Sequence, residues 1–103
     1  MFPQIAGLGR SSTARFYAIA DRREAEAYAR DSLLGERLVE CTEAMLRWAG
    51  VSSADAILGA IDALKFRSSM TLFEACAPNP GPFAAALDAF YAGERDAATL
   101  ALL

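Results

Sequence analysis

The sequence contains no histidine at all. That removes the commonest general base and the commonest metal ligand, and with them any Ser-His or Cys-His nucleophile pair. Cysteine is scarce, present only as Cys41 and Cys76. Each falls within a helical pattern and reads as a reduced, buried thiol of a cytoplasmic protein, although spacing alone does not exclude a disulfide. Zinc would have to combine these two distant cysteines with carboxylates, a poor ligand set, so neither a metal nor a cofactor is expected. Long apolar runs are missing: nothing approaches the ~18–20 residues needed to cross a bilayer. Met1-Phe2-Pro3-Gln4 shows no basic start followed by an apolar run, so no signal peptide is expected. An excess of positive charge is missing too. The formal net charge is -3 and the pI about 4.8, a balance that repels phosphates and anionic lipid and argues against nucleic-acid or membrane partners. Strand-type alternation, internal repeats and low-complexity runs are also absent from the pattern.

What is present is a generous supply of core material. Hydrophobic residues make up 54% of the 103 positions and charged residues 22%. A chain of this length buries roughly 60–70% of its unfolded surface and can hold a core without staples. The expectation is an all-α fold, one compact domain over residues 1–103, with five to six short helices around a central buried one.

Helix signals follow one another along the chain. Phe2-Pro3 and Gly7 to Gly9 suggest an extended or looped entry, then a short helical turn carrying Phe16 and Tyr17. Asp21 reads as an N-cap with Glu24 as its capping-box partner. Asp31 or Ser32 caps a longer helix ending at Gly50, with Leu34, Leu38, Cys41, Met45 and Trp48 on one apolar stripe and Glu36, Glu40 and Glu43 opposite. Ser52 or Ser53 caps a short helix stopped by Gly59. A helix from about Asp62 to Ala77 carries apolar residues in nearly every direction, the mark of a central helix. Pro78-Asn79-Pro80-Gly81-Pro82 breaks the chain, with Pro82 opening a helix whose face is Phe83, Leu87 and Phe90 and which Gly93 closes. Asp96 begins a last helix whose Leu100 and Leu103 are expected to dock on the core.

Two clusters bear chemistry. Gly7-Leu8-Gly9-Arg10-Ser11-Ser12 lacks the Lys of a P-loop and the third Gly of a dinucleotide fingerprint. Its amides, with Arg10, Ser11 and Ser12, nevertheless suit an anion, unless the segment is simply a turn and a helix cap. The second cluster is Lys65-Phe66-Arg67-Ser68-Ser69-Met70-Thr71. Polar groups inside the most apolar helix need partners. They form either a pocket in which Lys65 and Arg67 bind an anionic group, or a packing surface where Ser68 and Ser69 bond the preceding turn. The acidic ridge is a solvated face, and Asp62 a helix-start residue.

The same residues carry a resemblance. Phe2-Pro3-Gln4, Gly7-Leu8-Gly9-Arg10-Ser11, Leu34-Gly35-x-Arg37-Leu38, the run Lys65 to Phe73, the segment Phe83 to Phe90 and the ending Thr99-Leu100-Ala101-Leu102-Leu103 resemble, in order, a bacterial family called domain of unknown function 1810. The resemblance covers essentially the whole chain. It implies a compact helical fold of cytoplasmic type without an established activity. Members are sometimes labelled calpastatin, an inhibitor made of disordered repeats that this sequence does not resemble. The resemblance also implies a further N-terminal portion, with a helix and a Trp-rich, His-containing segment, ahead of Phe-Pro-Gln. This sequence starts at that motif, so apolar surface is expected to lie open and to drive self-association.

Two readings follow. One is a non-enzymatic module that binds itself or a protein partner. The other is a site for an anionic or phosphate-bearing small molecule; as an enzyme it would use Lys65 and Arg67 to stabilise developing charge and a carboxylate such as Asp62 as base. The second requires Arg10 and Arg67 to meet on one side of the fold.

Overall fold

A computed structural model describes residues 2–7 and 18–103. Among them are six helices: α1 (Arg22–Arg30), α2 (Leu34–Leu46), α3 (Ala54–Leu58), α4 (Ala60–Cys76), α5 (Gly81–Tyr91) and α6 (Ala97–Leu102). Local capping chemistry explains most of their starts. The Asp21 carboxylate accepts the Glu24 N–H at 2.9 Å. Glu24 answers by accepting the N–H of Ala20 at 3.2 Å, one residue earlier than a standard capping box. Ser53 Oγ accepts from the Ala56 N–H at 3.1 Å, and Gly59, at φ 86°, separates α3 from α4. Of the two expected caps for α2, Asp31 does the work. Its carboxylate accepts the Leu33 and Leu34 N–H groups at 2.9 and 2.8 Å, and these bonds hold its pKa below the ordinary carboxylate value.

Helix α4 is the centre of the fold, packed against α1, α3, α5 and α6. From Ser68 to Phe73 it is buried at every position. Two aromatic anchors, seven residues apart, organise the layers around it. Phe66 meets the rings of Phe2, Phe90 and Tyr91, with centroids 4.6, 6.1 and 6.3 Å away. Phe73 meets Tyr28 at 5.5 Å and Phe83 at 5.8 Å. The chain reaches this core early: Ile5 and Ile19, both buried, form an isolated parallel bridge in which Ala6 donates to the Ile19 carbonyl at 2.7 Å and Ile19 to that of Gln4 at 2.8 Å.

Three expectations need correction. The inward face of α2 is Gly35, Leu38, Thr42 and Met45, and the α-helix ends at Leu46. Leu34, Cys41 and Trp48 of the expected stripe are exposed, so Cys41 is not a buried thiol; only Cys76 is. Leu38 and Met45 of the stripe do face inward, and the remaining inward positions belong to Gly35 and Thr42, which do not count as apolar. Gly35 nests against α1, and Thr42 returns its hydroxyl to the Leu38 carbonyl at 2.9 Å, leaving its methyl free to pack. Second, α4 begins at Ala60, two residues before Asp62, and its first turns are apolar but exposed at Ile61 and Leu64. Third, α6 buries Thr99 rather than Leu100, while Leu103 does pack on the core. The expected turn around Phe16 and Tyr17 lies outside the described residues.

Candidate functional site

The polar residues of α4 converge on the segment between α5 and α6. Arg67 donates from Nε to the Glu94 carbonyl at 3.0 Å and from Nη2 to the Arg95 carbonyl at 2.9 Å. The same nitrogen stands 3.5 Å from the Glu94 carboxylate, and the guanidinium carbon lies 5.8 Å from the centre of the Tyr91 ring. The next residue, Ser68, shares its single hydroxyl proton between the Leu64 carbonyl at 3.1 Å and the Asp96 carboxylate at 3.2 Å. Thr71 Oγ1 donates to the Arg67 carbonyl at 2.8 Å and accepts the Asp96 N–H at 2.9 Å. Asp96 in turn caps α6 by accepting the Thr99 N–H at 3.0 Å and its hydroxyl.

Glu74 completes the seam through a two-pronged pair with Arg95, whose guanidinium also reaches the Gly93 carbonyl and, at 3.5 Å, Asp88. The Arg95 guanidinium holds the Glu74 carboxyl below its usual pKa, and the carboxylate raises that of Arg95. Tyr91 donates to the Ala63 carbonyl. Burial, with some help from the charge of Asp55, pushes its phenol up to about 12 against the pull of Arg67.

The expected site residues therefore separate. Arg67, Ser68 and Thr71 share one polar seam, and that seam closes on the protein's own carbonyls and carboxylates. Lys65 is exposed and has no ion pair among the described residues. Ser69 turns inward: its hydroxyl is buried and has no hydrogen-bond partner among the described residues. Arg10, Ser11 and Ser12 lie outside the described residues. Sequence reasoning took Asp96 only as a helix start and missed Glu74 and Arg95 as members of the seam. Their signal is spacing: 67, 71 and 74 are successive turns of one helix face, the periodicity a partner segment needs.

No group of three or more potential metal ligands occurs among the described residues. A shallow cleft of about 110 Å³, lined by Ala29, Leu38, Val39, Ala77, Pro78 and Phe83 among others, lies beside α2. It is small against the ~300–1,000 Å³ of typical small-molecule sites. Across the described residues no helix is long and apolar enough to cross a membrane.

Comparison with known proteins agrees on kinship. The family described as protein of unknown function (DUF1810) matches residues 1–103. The chain belongs to the DUF1810 family. A similar solved structure is the conserved hypothetical protein Rv1873 from Mycobacterium tuberculosis, with 43% sequence identity and a TM-score of 0.93. The match covers 99% of this chain and 72% of that one. None of the curated proteins compared matches. The DUF1810 fold is thus shared with a bacterial relative whose own description assigns no activity, and this chain is a small helical protein of a family described as of unknown function.

Proposed function

We propose that this chain is a non-enzymatic helical module that works by associating with itself or with a protein partner. The observation that carries the reading is apolar side chains left in solvent: Trp48 is 52% exposed, Val51 72%, Ile61 73% and Leu64 64%. Ile61 and Leu64 are neighbours on one side of α4, the helix whose later turns make the core. Apolar groups gathered at a surface mark association sites more often than isolated ones do. The polar seam supports the same reading, because the guanidinium of Arg67 and the hydroxyl of Ser68 are already engaged within the fold. A cytoplasmic location is part of the proposal, and the two free thiols are compatible with a reducing compartment.

Light scattering of the purified chain across a wide concentration range tests the reading. Mass rising above the monomer with concentration is the expected result. A chain that stays monomeric at the highest concentration, and whose Ile61→Ser/Leu64→Ser variant behaves identically, would remove self-association as its mode of action.

A further inference from the structure

We draw no further inference here: the strongest candidate, the exposed apolar patch of Ile61 and Leu64 on the first turns of α4, belongs to the surface already proposed for association, and nothing in the structure shows what covers it.

Discussion

Gly35 lies so close to Ala29 that a β-carbon added to it would stand 2.2 Å from the Ala29 carbonyl oxygen. The start of α2 thereby rests directly on the last turn of α1. No side-chain rotation relieves such a contact, because the neighbour is backbone.

Gly35→Ala is therefore expected to destabilise the fold by about 2 kcal/mol or more, through a forced separation of α1 and α2. Urea denaturation against the wild type measures it. A variant within about 0.5 kcal/mol of the wild type would mean that the two helices have room the structure does not show.

Ser69 makes the opposite prediction. Its hydroxyl is buried without a partner among the described residues, a state that costs about 1–3 kcal/mol. Ser69→Ala removes the orphan group and improves helix propensity, so the midpoint of unfolding should rise, by about 1 kcal/mol in stability. A fall in the midpoint would show that the hydroxyl has a partner after all, and would return this residue to the list of binding groups.

Tyr91 carries a pH dependence. Its phenol, displaced by burial, ionises at about 12 in the folded protein, against about 10 in an unfolded chain. A raised folded-state value means stability that is complete below pH 10 and is lost as the pH climbs through about 12. Tyr91→Phe gives up the hydrogen bond to the Ala63 carbonyl, worth about 1 kcal/mol at neutral pH, and with it this alkaline sensitivity. Denaturant titrations at pH 7 and at pH 11 should show the gap between variant and wild type narrowing. A gap of constant size would place the phenol in a more open setting.

The sequence revealed the parts of this fold that are decided locally. Asp21 with Glu24, Ser53, Gly59 and, in its capping of α6, Asp96 each act within four residues of themselves, so this much of their chemistry can be read from neighbours alone. The buried face of α2 could not be read that way. Gly35 is inward because of a close approach to another helix, and Thr42 because its hydroxyl finds the Leu38 carbonyl; neither is visible as hydrophobicity. The polar run in α4 raised the right question and left its answer open. What meets the run is a segment 27 or 28 residues further on, which brings the Glu94 and Arg95 carbonyls and the Asp96 carboxylate to Arg67 and Ser68. Only chain closure supplies those partners. Leu100 was expected inside on pattern and lies outside because Thr99, tied to Asp96, takes the inward position.

The carboxylate of Asp96 joins two structures that lie far apart in the chain. It accepts from Ser68 in the middle of α4 and from Thr99 in the first turn of α6, while its own N–H is held by Thr71. The final helix therefore cannot fray by itself, since releasing its first turn also strips acceptor and donor from the most buried stretch of the protein. In hydrogen exchange, the amides of Asp96 and Thr99 should open together and at the tempo of the core, although they sit within eight residues of the last one. A short outlying helix is ordinarily the place where a fold begins to come apart; α6 is instead tied in like a keystone.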